Sequence, residues 1–158
     1  MSHRFWIRFL TLVCALALGA CASFDRDWKA AAAQSGSRVQ KADPFSGAWD
    51  GQWTSEKHRQ RSGQPGGDRL RCIFTRLDDA HYRARFRANW LIFATNFDMT
   101  FDTARHGSVL ALHGEKDIGA IFGGVYRYDG QVTPRHFSTT FASRLDSGRF
   151  EMNRAAPQ

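Results

Sequence analysis

From residue 45 to residue 154 apolar and polar positions alternate with a period of two, the pattern of strands with one buried face. Gly47-Ala48-Trp49-Asp50-Gly51-Gln52-Trp53 places Trp49, Gly51 and Trp53 on one side. A polar connection over 55–68 follows, ending in a glycine-rich run, and the spacing predicts a second strand from Arg69 to Leu77 with Asp78-Asp79 as its turn. The third runs from His81 to Ala88, with Tyr82, Ala84 and Phe86 on one face and Arg83, Arg85 and Arg87 on the other. The fourth runs from Asn96 to Thr103, where Phe97, Met99 and Phe101 oppose Asp98, Thr100 and Asp102. Arg105-His106-Gly107 reads as a tight turn, and Ser108–His113, Ala120–Tyr128, Arg135–Ser143 and Arg149–Arg154 supply the remaining strands. Asp129-Gly130 and Asp146-Ser147-Gly148 carry the composition of hairpin turns.

This stretch has neither a long amphipathic helix nor a strand–helix alternation, which excludes a parallel sheet. The expected fold is all-β, with about eight antiparallel strands in a meander. A meander of that size removes its exposed edges by closing into a small barrel. The inward set is heavily aromatic: Trp49, Trp53, Phe74, Phe86, Phe97, Phe101, Phe122, Tyr126, Phe141 and Phe150. So many rings predict a mostly filled interior with at most a shallow pocket at one mouth.

The first 44 residues follow a different pattern. Ile7 to Ala20 is largely apolar apart from Arg8 and follows Arg4, and it is too short to span a bilayer, which needs about 20 apolar residues. A basic start, a short apolar stretch and small residues before a cut describe a secretory signal. The run closes on Leu18-Gly19-Ala20-Cys21, which resembles the lipobox of bacterial lipoprotein precursors. The resemblance implies removal of residues 1–20, lipidation of Cys21 with palmitate among its chains, and membrane attachment through that residue. Ala22 stands where an Asp would resemble an inner-membrane retention signal, so the expected address is the outer membrane, facing the periplasm. Residues 21–44 read as a lipid-anchored flexible tether, residues 45–154 as the domain, and residues 155–158 as a tail. Within the tether, the run from Trp28 to Ala33 is helix-forming but too short to be stable alone.

Charge and cysteine content narrow the picture. The chain of 158 residues carries a net charge of +7, and loss of Arg4 and Arg8 with the signal leaves 20 basic against 15 acidic residues. A modest, dispersed positive charge outside the cytoplasm suits anionic headgroups or cell-surface polymers, and no nucleic-acid partner is expected. Cys14 is lost with the signal and Cys21 is modified, so Cys72 has no unmodified partner and the fold rests on its core. Its place between Leu70 and Phe74 predicts a buried, inert thiol.

Gly47-x-Trp49 on the first strand, with Arg154 ending the last, resembles the lipocalin and calycin pattern. In those folds the Trp closes one end of the barrel and a late Arg packs across it. The doubled form Gly47-x-Trp49-x-Gly51-x-Trp53, the run over 122–130 and Gly148-x-Phe150 also resemble uncharacterised small bacterial β-domain lipoproteins, a likeness that brings no activity with it. Trp90-Leu91-Ile92-Phe93 breaks the alternation. Four consecutive apolar residues are read first as a short capping helix over the barrel end, and otherwise as an apolar ligand mouth or a membrane-dipping segment. The Arg83, Arg85, Arg87 stripe is expected to pair with Asp98 and Asp102 on the neighbouring strand, and is otherwise a bidentate site for phosphate or carboxylate.

The histidines lack metal-ligand spacing, and neither a serine elbow nor a phosphate-binding loop occurs. No catalytic residue, metal or cofactor is expected, and the chain is not read as an enzyme. The leading expectation is a lipid-anchored envelope protein that buries a small hydrophobic or amphipathic ligand near Trp49, Trp53, Trp90 and Phe93, with Arg83, Arg85 and Arg87 meeting an anionic head. The alternative is an interaction or structural module that docks an envelope protein partner on the Arg-rich face. A barrel spanning the membrane is the further possibility that alternation alone leaves open.

Overall fold

The computed structural model describes residues 23–34, 37, 42–57, 68–90 and 93–156, apart from the side chains of Trp90, Phe93 and Phe122. The signal segment, the lipobox and Cys21 lie outside the described residues. Eight strands run in sequence order: β1 (Gly47–Ser55), β2 (Asp68–Arg76), β3 (His81–Trp90), β4 (Phe93–His106), β5 (Val109–Asp117), β6 (Val125–Val132), β7 (His136–Ala142) and β8 (Ser147–Arg154). Each pairs antiparallel with the next, and β8 returns to β1 through Trp49↔Arg154 and Trp53↔Phe150, closing the barrel. The all-β antiparallel meander expected from the alternation is the observed fold, and it is closed into a barrel.

Every second side chain fills the interior. Phe137 stands at its hub, edge-on to Trp49 at 5.8 Å and to Phe74 at 5.4 Å between ring centroids, with Phe86 and Phe101 just beyond. Phe86 packs on Phe150, and Phe150 on Phe141. Such pairs add about 0.5–1.5 kcal/mol each beyond the burial of their area. Cys72 is fully buried among them, and burial pushes its thiol well above the ordinary range. The outer wall is charged all round: Arg69, Arg83, Asp98, Asp102, His113, Glu115, Arg127, Asp129 and Arg149 are exposed on it. That is the reverse of the apolar band a membrane-spanning barrel presents to lipid. Among the described residues no helix is long and apolar enough to cross a membrane.

Several local expectations are corrected. Asp129-Gly130 is not a turn but lies inside β6, whose reversal comes at 133–135. Gly130 is needed there because β7 crosses so closely that a Cβ would stand 2.3 Å from the Ser138 carbonyl oxygen. Ala120–Phe122, expected in a strand, is a turn of 3-10 helix ahead of β6. Trp90 and Phe93 are not in a capping helix: they end β3 and begin β4 and pair with each other, while Leu91 and Ile92 lie outside the described residues. The tail is not free from its first residue, since Ala155 is buried and its N–H donates to the Ala48 carbonyl at 3.0 Å.

The largest correction concerns the tether. Residues 23–33 form an α-helix, α1, lying on the outside of the barrel. Phe24, Trp28 and Ala32 recur every four residues, so they share one face, and all three are buried against Ala48, Ile73 and Ala155. The Trp28 indole N–H donates to the Trp49 carbonyl at 3.2 Å. A helix this short is marginal alone in water. Docking two aromatic side chains contributes on the order of 1.5–3 kcal/mol for each and holds it.

Candidate functional site

The antiparallel meander sorts the connections into two ends. At one end lie the chain entering β1, the turns at 77–80, 107–108 and 133–135, and the end of β8. At the other lie the ends of β1, β3, β5 and β7, joined by the connections 56–67, 91–92, 118–124 and 143–146.

The first end is sealed. Trp49 is 0% exposed and donates its indole N–H to the Phe45 carbonyl at 3.2 Å. The Arg154 guanidinium lies across the Trp49 ring, its Cζ 3.9 Å from the centroid. It donates to the Ser46 carbonyl at 2.7 Å and the Pro134 carbonyl at 3.2 Å, and also to the Pro44 carbonyl. These acceptors and the ring face keep a partly buried cation satisfied, although burial still lowers its pKa to about 10. Gly47 has a φ of 129°, and a Cβ there would meet the guanidinium at 2.7 Å. The Gly47-x-Trp49 pattern is thus a geometric requirement of placing Arg154. Phe45 plugs the end, and Asp43 accepts hydrogen bonds from the Phe45 N–H at 3.3 Å and the Tyr82 hydroxyl at 2.9 Å. Burial, and then the Asp43 carboxylate, push the Tyr82 hydroxyl well above its ordinary pKa.

The second end is not sealed by such a network among the described residues. The partly exposed hydrophobics packed against the interior are Trp53, Phe97 and Tyr126, and all three stand close to this end on β1, β4 and β6. Phe97 stacks on Phe86 at 4.9 Å, and the Trp53 indole N–H donates to the Asn89 carbonyl at 3.2 Å. Beyond them the connections 118–124 and 143–146 carry exposed aliphatic side chains, whereas 56–67 is polar in sequence. Ile121 is 87% exposed, and Ile118, Val125 and Leu145 are exposed on the same rim. The connection at 118–124 is ordered by the Ile118 N–H on the Gly124 carbonyl and the Gly124 N–H on the Gly119 carbonyl. Arg144 ties the neighbouring connection to it through the Ala120 carbonyl at 3.3 Å.

The residues expected to share one site are divided among three places. Trp49 belongs to the sealed end, whereas Trp53 and the backbones of Trp90 and Phe93 belong to the open one. Arg83, Arg85 and Arg87 are at neither end but on the outer wall. Their expected pairing with Asp98 and Asp102 is met only by Arg83, which reaches Asp98 at 2.8 Å. Arg85 pairs with Asp27 at 3.0 Å and Arg87 with Asp25 at 2.9 Å, both on α1, and Arg71 adds a second contact to Asp25 at 2.8 Å. Asp102 instead faces His81. The bond from Arg85 holds the Asp27 carboxyl below its usual range. Arg71 also lies over the rings of Phe24 and Trp28. Sequence reasoning missed these two aspartates, although the spacing of Phe24, Trp28 and Ala32 signals a helix whose buried face they flank.

A surface groove of about 140 Å³ runs between α1 and the outer wall, lined by Phe24, Arg83, Arg85, Asn96 and Asp98 with Phe86 and Phe97 beneath. Its charged groups are already engaged with one another or with α1. Among the described residues no three His, Cys, Asp or Glu side chains gather where they could hold a metal ion.

No protein-family model matches the chain, and no curated protein matches its sequence. Among solved structures, it is similar to "The crystal structure of Echinococcus granulosus fatty-acid-binding protein 1", at 14% identity and a TM-score of 0.37, covering 72% of this chain and 99% of that one.

Proposed function

We propose that this is a lipid-anchored cell-envelope protein that takes the apolar part of a small hydrophobic or amphipathic molecule into the open end of its barrel. The observation that carries this reading is the placing of Trp53, Phe97 and Tyr126. The interior's partly exposed rings gather at one end, inside an apolar rim, while the opposite end is sealed by Trp49 and Arg154. An apolar recess with a few polar groups near it is the ordinary form of a small-molecule site. The interior is filled up to Phe86, Phe141 and Phe150, so the recess is shallow and suits one end of a ligand rather than a whole acyl chain. The outer-membrane address rests on Cys21 and Ala22 in the sequence.

An arginine-rich docking face is the less favoured reading, because α1 already covers Arg85 and Arg87 and Asp98 engages Arg83. The test is a titration of the folded protein with a fatty acid and with a lysolipid, read by tryptophan fluorescence. A saturable shift that Trp53→Phe removes is expected. No saturable change in a folded sample overturns the proposal.

A further inference from the structure

Ile118, Ile121, Val125 and Leu145 form an exposed apolar rim on ordered connections at the open end, with no described part of the chain covering it. Among the described residues only Leu77 of the exposed large hydrophobics lies at the other end. What meets this rim is indicated by the course of α1. Its N-terminal part is bound through Asp25 to Arg87, three residues before the end of β3 at the open rim. Farther along the helix the Trp28 indole N–H reaches the carbonyl of Trp49, a residue of the sealed end, and Ala32 shares a buried cluster with Ala48 and Ala155. The helix therefore runs from the open end toward the sealed one.

Three strand residues place Asp25 about 10 Å below the rim. Ser23 to Asp25 are helical and rise about 3 Å, and the two residues from Cys21 to Ser23 reach at most about 7 Å. That length lets Cys21 stand no farther out than about the plane of the rim. The segment read as a spacer is used in docking α1 on the barrel, so little chain remains to hold the domain away from a lipidated Cys21.

We infer that the open apolar rim is a membrane-docking face: the barrel sits mouth-down on the bilayer, with Ile121 and Leu145 among the acyl-chain ends of the headgroups. The occupant is a lipid bilayer surface. Anchor and rim are at the same end, and an apolar rim is stabilised by leaving water for the interface. This rests on the lipid-anchor part of the proposed function, and it makes the bilayer itself the source from which a ligand enters the recess.

The test uses the full lipidated chain reconstituted in phosphatidylethanolamine–phosphatidylglycerol vesicles. An environment-sensitive dye is attached through Ile121→Cys or, at the opposite end, through Leu77→Cys, while the buried thiol of Cys72 stays unlabelled. Both positions are exposed, so both variants are expected to fold. A blue-shifted emission at position 121 that spin-labelled lipid quenches, with neither effect at position 77, is the expected result. Equal, water-like emission at both positions, or quenching at position 77, overturns the seating. Mass spectrometry of the same sample separates the two ideas: an unmodified Cys21 overturns the anchor and the seating with it, whereas a lipidated Cys21 with unquenched dyes overturns the seating alone.

Discussion

The two ends of this barrel are built from the same kinds of residue and reach opposite results. At the sealed end an indole, a guanidinium and four backbone carbonyls satisfy one another, and the buried Phe45 plugs the end. At the open end the rings of Trp53, Phe97 and Tyr126 are only partly covered, and Ile118, Ile121, Val125 and Leu145 are exposed beyond them. Trp49 and Trp53 share the same alternation, four residues apart on β1, yet one is a structural keystone and the other is only partly covered. What separates them is not the residue but what the rest of the chain brings to each level of the barrel. Arg154, Pro44 and Pro134 arrive at one level, and at the other the described partner of the Trp53 indole is the Asn89 carbonyl.

The contrast is broken most strongly by removing the keystone. Trp49→Ala is expected to cost about 3–5 kcal/mol in chemical denaturation, as for other large buried aromatics. Trp53→Ala, at a half-buried position, is expected to cost about 1–2 kcal/mol. Equal losses would erase the distinction between the ends. Next is Arg154→Lys, which strips donors from the Pro44, Ser46 and Pro134 carbonyls and cannot reproduce the flat stacking on Trp49. A loss of about 2–3 kcal/mol is expected, with the midpoint of unfolding as the measure. Gly47→Ala forces a side chain into a left-handed backbone against that guanidinium and is expected to cost about 1–3 kcal/mol.

Smaller effects belong to α1. Asp25→Asn weakens two partly exposed ion pairs and is expected to cost about 1 kcal/mol or less. Asp27 titrates below its ordinary 3.8 when folded, chiefly because of the bond from Arg85. A depressed carboxyl contributes stability above the unfolded value, and that contribution is lost as pH falls through the folded one. The helix should therefore loosen from the wall below the usual carboxylate range, and hydrogen exchange of residues 23–33 should rise there first. Asp27→Asn removes the acid step, and a step that persists would place its origin elsewhere. The smallest effect on stability is expected for Leu145→Asp, within about 0.5 kcal/mol at an exposed position, while its effect on vesicle association should be plain.

The sequence showed the barrel wall clearly because β3 and β4 alternate arginine or aspartate with aromatic residues, and each pleat then has only one workable side. It misplaced the reversal after β6 because Asp129-Gly130 has turn chemistry, whereas Gly130 is there to let another strand pass. Composition cannot distinguish a glycine that bends from one that makes room. Gly47, Trp49 and Arg154 were recognisable as a set, and their geometry explains why the set exists. The partners of Arg85 and Arg87 were not recognisable. Asp25 and Asp27 lie about sixty positions upstream in a segment whose helical pattern spans too few turns to stand out. Nothing in a period of two says which end of a barrel is sealed, so the candidate site was legible as a list of rings and not as a place.

Closure of the barrel also sets an order of events in time. The Arg154 guanidinium and the Ser46 carbonyl it locks are 108 positions apart in the chain. A pairing so remote in sequence forms late, because the ends of a long loop must meet before the contact is rewarded. Trp49 therefore cannot be sealed until the last strand has joined the barrel. The same clasp that makes one end rigid leaves that end unlocked for as long as β8 is unpaired.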